Sequence, residues 1–276
     1  MRTILLLLIF VTSASGLKAQ RFEGTLTWKI TSEITDPDLK AQVAKMQAPA
    51  SQAKIRAILE RMNDPQYEAM VEADPQLKRQ VEHMVKAIAD SGGREAMIPN
   101  GLIVKFKEKR TLSVFQGGAA AGMELLHLPE KDKYQLFRID RTAKTYTPLG
   151  YDMSAAAPEN EKVKKTKETR KILGYTCTKY IVDILYGNDV MQQVFWATPE
   201  LDDVYFRGMG HQRFVKGQPN IFYRKIDGVP LLMEMKHPKG TLTLEATQVK
   251  RETFSAEDFV IPTGFREVRG AKVFFE

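Results

Sequence analysis

Two hydrophobic periods divide the chain. Between Arg21 and Thr31, Leu26, Trp28 and Ile30 alternate with Thr25, Thr27 and Lys29. A period of two buries one face of a strand and leaves the other wet. From Asp36 to Ser91 the period lengthens. Leu39, Val43 and Met46 form one stripe at helical spacing; Ile55, Ile58, Leu59 and Met62 form a second; Leu77, Val81, Met84, Val85 and Ile88 form a third. Three Asp-Pro pairs, Asp36-Pro37, Asp64-Pro65 and Asp74-Pro75, read as helix starts. The carboxylate accepts the free N–H groups of a first turn, and proline suits the first helical position because it has no N–H to leave unpaired. Ser91-Gly92-Gly93 ends the last helix. Such helices have one apolar face to lay on something.

The short period returns from Met97 to the end. Leu102, Val104 and Phe106 alternate with lysines in Leu102–Lys107. Thr111–Gln116 and Met123–Leu128 flank the small-residue turn Gly117–Gly122. Tyr134–Asp140 and Lys144–Leu149 are split by Arg141-Thr142-Ala143. A loop rich in Ala, Pro and Glu runs from Tyr151 to Glu161. Lys164–Ile172, Tyr175–Leu185 and Val190–Thr198 resume the strands, and Pro199–Asp203 starts a short helix or turn. Leu231–His237 and Thr241–Arg251 form a hairpin around Pro238-Lys239-Gly240, and a tail follows from Asp258. Strands of this length joined by short turns predict a meandering antiparallel sheet, and with the helical segment an α+β fold. No internal repeat is visible.

The first residues change the expected compartment. Arg2 precedes an apolar run from Ile4 to Val11, and small and polar residues follow to Ala19. That is the plan of a secretory signal peptide. The run is far shorter than the roughly 20 residues that span a bilayer. The expected organisation is a leader over residues 1–19 and one domain over 20–276, with the helical insertion at about 36–91. A cut after Gly16 competes with one after Ala19. No cysteine follows either cut, so a lipid anchor is not expected. The expected location is therefore periplasmic or secreted. Losing Arg2 and Lys18 with the leader lowers the net charge from +7 to +5. The lysines are spread along the chain, which suits solubility. The lone cysteine, Cys177, excludes an internal disulfide framework and a multi-thiolate zinc site. Burial in a strand is the expected place for it.

Sites of reaction chemistry are missing from the pattern. No Gly-x-Ser-x-Gly elbow occurs, and Gly117–Gly122 lacks the Lys-Ser/Thr of a phosphate loop. His83, His127, His211 and His237 are widely spaced, so spacing supports no metal site. No catalytic residue, metal, cofactor or enzyme activity is expected. The basic run Lys162–Lys171 holds Lys162, Lys164, Lys165, Lys167, Arg170 and Lys171, and alternates with Thr and Val. It suits a solvated edge strand whose lysines prevent sticking. Without interleaved aromatics it gives no support for nucleic acid.

Four stretches together resemble one family. They are Gly174-Tyr175-Thr176-Cys177-Thr178-Lys179-Tyr180, Val194-Phe195-Trp196-Ala197-Thr198-Pro199-Glu200-Leu201, Gly228-Val229-Pro230-Leu231-Leu232 and Phe259-Val260-Ile261-Pro262-Thr263-Gly264-Phe265. The chain resembles, over about Phe22 to Glu267, a secreted bacterial family catalogued as domain of unknown function 4412. That family is similar in fold to the periplasmic lipoprotein carriers, the LolA-like proteins. The resemblance implies a curved, unclosed antiparallel β-sheet, a half-barrel, wrapping helices on its concave side. It carries over no catalytic residue. The landmark glycines and prolines also have plain structural explanations as turns.

These readings predict an exported protein that binds or carries a lipid or other apolar ligand in the concave face. The candidate lining is Leu26, Trp28, Ile30, Leu102, Val104, Phe106, Val114, Phe137 and Trp196. The same residues make a dry core if the hollow is filled, since a sheet face must be buried somehow. The alternative is a structural or protein-interaction module of the cell envelope, meeting a partner through an exposed strand or the basic run.

Overall fold

A computed structural model describes residues 22–48, 53, 57, 99–130, 133–151, 162–186, 189–201 and 226–268. The proposed leader and the helical stripes beyond Gln47 lie outside the described residues. The elements are β1 (Gly24–Ile34), α1 (Pro37–Gln47), β2 (Gly101–Lys107), β3 (Arg110–Gln116), β4 (Glu124–Glu130), β5 (Lys133–Asp140) and β6 (Thr145–Tyr151). They continue with β7 (Lys162–Ile172), β8 (Tyr175–Tyr186), β9 (Asp189–Thr198), β10 (Val229–His237), β11 (Gly240–Arg251) and β12 (Arg266–Glu267).

All twelve strands form one sheet in the order β12-β6-β5-β4-β3-β2-β1-β11-β10-β9-β8-β7. Most neighbours in that order are consecutive in the chain, as short antiparallel hairpins require. The exception in the middle is β1, which lies between β2 and β11 and so joins two meanders. The sheet is not closed: β12 and β7 are its two edges. Two expectations need correction. The sheet is mixed, because β12 runs parallel to β6. The described chain is mostly β, with α1 as its one α-helix. A turn in which the Phe265 N–H donates to the Pro262 carbonyl leads the tail back to the sheet, where the Arg266 N–H donates to the Lys144 carbonyl.

The start of α1 follows the sequence. Asp36 is the N-cap, its carboxylate accepts the Leu39 N–H at 2.7 Å, and Pro37 opens the first turn. None of the described residues of α1 belongs to either hydrophobic core.

Register places the core. Tyr180, Phe195, Met233, Leu244 and Ile30 pair in succession across β8, β9, β10, β11 and β1. All five are buried. Trp28 pairs with Ala246 on one side and Leu102 on the other, and Leu102 pairs with Phe115. Each fully buried large apolar side chain contributes about 1.5–3 kcal/mol. Trp28 also donates its indole N–H to the Pro230 carbonyl at 3.3 Å, which satisfies the one polar atom it takes into the core.

A second, smaller core groups Leu112, Leu126, Phe137, Ile139 and Phe259. By register, Leu112, Leu126 and Phe137 are cross-strand partners, and they alternate with Ser113, Leu125 and Arg138. The second core therefore lies on the opposite face of the same sheet. The tail covers it: a 3-10 turn at Ala256–Phe259, capped reciprocally by Ser255 and Asp258, drives Phe259 against these strands. Phe254, Ile261 and Phe265 pack around it.

Candidate functional site

The first core lies on one extended face. Six of the nine expected lining residues, Leu26, Trp28, Ile30, Leu102, Val104 and Phe106, come together there and are buried. Val114 and Phe137 do not join them. Both sit with the second core on the opposite face, Phe137 buried and Val114 half-buried. Trp196 is half-buried and touches only the margin of the first core. It alternates with Phe195 and Ala197, which hold the inward positions of β9. Its ring lies under the Arg170 guanidinium, 4.4 Å from the ring centre, and the Lys179 ammonium, 5.7 Å away.

The cause of this split is physical. A period of two fixes which residues of one strand share a face, and leaves open which face that is. Between β2 and β3 the dominant apolar phase changes sides. Val104 pairs with Ser113 and Phe106 with Thr111, so over that part of β3 the face that is apolar on β2 turns polar, while Leu102 still meets Phe115.

That polar extension is the main feature the sequence did not disclose. Thr111, Ser113, His127, Arg138, Thr145 and Thr147 are all buried. Ser113, Leu125, Arg138 and Thr147 pair in succession across β3 to β6. Thr111 Oγ1 and His127 Nδ1 lie 3.2 Å apart and share a hydrogen bond. The signal that reveals this is adjacent apolar residues, such as Leu125-Leu126 and Leu136-Phe137, which mark strands buried on both faces.

The apolar half buries Thr25, Thr198 and Gln193 as well. Gln193 is fully buried on β9 and pairs with Val182 and Met235. Neither its amide nitrogen nor its amide oxygen has a hydrogen-bond partner among the described residues. A buried amide normally finds one, because leaving water without replacement costs about 1–3 kcal/mol.

Other polar groups act as staples. Glu23 accepts from the Lys107 ammonium and the Phe254 N–H, both at 2.8 Å, tying the end of β2 to the tail. These two donors hold the Glu23 carboxyl below its ordinary range. Lys250 and Thr25 do the same for Glu252. Cys177 is a free thiol on β8, and burial pushes its pKa up to about 11. Such a thiol is protonated and inert at neutral pH. Among the described residues, no three His, Cys, Asp or Glu side chains converge to hold a metal ion. Among the described residues no helix is long and apolar enough to cross a membrane.

The landmark residues of the sequence have local structural roles. Lys179, Trp196 and Leu232 pair in register on three adjacent strands. Glu200 accepts the Thr176 N–H at 2.8 Å, and Leu201 is fully buried. At Gly228, φ is +94° and an added Cβ would lie 2.1 Å from the Thr198 carbonyl oxygen, so only glycine fits.

Comparison with known proteins gives a family and a distant likeness. No curated protein matches. Two solved structures are similar. The lipoprotein LppX of Mycobacterium tuberculosis has 11% identity and a TM-score of 0.29, over 65% of this chain and 100% of that one. LprF of Mycobacterium bovis has 10% identity and a TM-score of 0.25, over 65% of this chain and 98% of that one. The family model described as Domain of unknown function (DUF4412) matches residues 98–265, which take in β2 to β11 and most of the tail. The chain belongs to that family.

Proposed function

We propose that the protein is a non-enzymatic binder or carrier of a lipid or other apolar ligand, held against the apolar face that β8, β9, β10, β11, β1 and β2 share. The expected setting is the periplasm or the exterior, after removal of a leader. The observation that carries the reading is Gln193. An amide with no partner among the described residues, fully buried beside Val182, Met233, Met235 and Phe195, is a cost that a dry core would shed by using leucine or methionine. A ligand with an apolar body and an ester, hydroxyl or amide group satisfies both surfaces at once. Such pockets are mostly apolar with a few placed polar groups.

The test is titration with a fluorescent fatty acid, comparing the parent chain with Gln193→Leu. The proposal predicts saturable binding by the parent and weaker binding by the variant, together with a higher thermal midpoint for the ligand-free variant. No saturable binding by the parent contradicts it.

A further inference from the structure

The β7–β8 hairpin has features that neither the core nor the apolar face explains. Ile172 pairs with Tyr175, so the turn is the two residues Leu173 and Gly174. Their φ angles are +51° and +87°. Positive φ at both central positions is the turn that favours Asn, Asp or Gly first and Gly second. Leucine is a poor choice there, because its Cβ crowds the following carbonyl. It is also 46% exposed, one of two exposed large hydrophobic residues among those described. Asparagine would suit both the turn and the solvent better, so the leucine needs another reason.

The strand leading to this tip is dense in cations. β7 is an edge strand, and Lys162, Lys164, Lys165, Lys167, Arg170 and Lys171 are all exposed. Lys165 pairs with Asp227 at 3.1 Å, and Arg170 stacks on Trp196. The acid within the strand, Glu168, is held by Lys179 at 2.9 Å. Lys162, Lys164, Lys167 and Lys171 have no ion pair among the described residues. Edge protection accounts for the lysines. It does not account for a leucine exposed at their end.

We infer that this hairpin docks the protein reversibly on an anionic bilayer, with the cations of β7 along the headgroups and Leu173 entering the interface. Charge attraction plus a shallow apolar insertion is the physics of peripheral membrane binding. A polyanion such as nucleic acid would use the lysines and leave Leu173 without a role. The inference does not depend on a ligand in the apolar face.

The test is co-sedimentation of the full chain with vesicles of phosphatidylcholine, alone or with one part in three of phosphatidylglycerol. The parent and each variant are measured on both vesicle compositions, so any affinity common to them cancels. The parent is expected to bind the anionic vesicles more tightly, with the difference fading as salt rises. Replacing Lys162, Lys164, Lys167 and Lys171 together by Gln is expected to weaken that binding at least about tenfold, since each cation near such a surface contributes. Leu173→Asn is expected to weaken it roughly threefold or more, because less apolar area is buried. Its thermal midpoint should be equal or higher, since the turn favours Asn. Equal binding by the parent and both variants overturns the inference. So does retention on heparin, or by an acidic protein, without preference for anionic vesicles.

Discussion

The two halves of the sheet bury apolar surface in opposite ways. From β8 through β1 to β2, one face is apolar and the other carries residues such as Thr27, Lys29, Glu234 and Glu245. From β3 to β6 the apolar side chains of Leu112, Leu126, Phe137 and Ile139 point the other way, under the tail. The face continuous with the main core is mixed there, with Thr111, Ser113, His127 and Arg138 beside Phe115 and Leu125. The first half is a conventional amphipathic sheet. The second buries side chains on both sides, and on the shared face it mixes polar residues with apolar ones.

The largest effect that breaks the comparison is expected at Trp28. Trp28→Ala removes the biggest fully buried side chain and its bond to Pro230, and should cost about 3–5 kcal/mol in denaturant unfolding. Phe259→Ala comes next. It opens the second core alone and should cost about 3 kcal/mol. Hydrogen exchange sharpens the contrast: amides of β3 to β5 and the tail should lose protection, while those of β9 to β11 keep theirs. Uniform loss over the sheet would show that the halves are one unit.

A smaller, pH-dependent effect is expected at the staple between β2 and the tail. The Glu23 carboxyl is held below its ordinary value of 4.5, first by the Lys107 ammonium and then by the Phe254 N–H. A lowered folded value means that the ionised form favours folding. The contribution is present above pH 4.5 and is lost as pH falls through the folded value. Glu23→Gln should flatten that part of the acid limb of stability and leave the alkaline side unchanged. An unaltered acid limb would assign it to other carboxylates.

The least perturbing probe is Cys177. With its pKa pushed up to about 11, the native thiol should react with iodoacetamide at pH 8 at least about a hundredfold more slowly than the unfolded chain. Mass spectrometry of the labelled protein reads this directly. Fast native labelling would mean that the strand around Cys177 opens readily.

Much of the fold is legible in the sequence, and the limit is instructive. Every strand from the first to the hairpin at Pro238–Gly240 lies within a few residues of its pattern, because alternation and turn residues agree locally. Asp36-Pro37 marks the start of α1, and the lysine-rich run marks the edge strand. The parallel pairing of β12 is not legible, since a two-residue strand carries no period. Nor is the switch of faces at β3. Leu112 and Val114 look like continuations of Leu102 and Val104 in sequence, yet register sets them on the other side. Of the nine candidates, register sets six on one face and Val114 and Phe137 on the other, and it turns Trp196 away from the inward position held by its equally apolar neighbour Phe195. Gln193 carried no signal, because a single glutamine in a strand is ordinary until its surroundings are known.

The central claim is that the apolar face holds a ligand, and native mass spectrometry of protein purified gently from its own source tests it most directly. The account predicts an added mass at near-unit stoichiometry, released by organic extraction as a lipid or another apolar molecule. The bare mass of the protein, with nothing recovered on extraction, would contradict it.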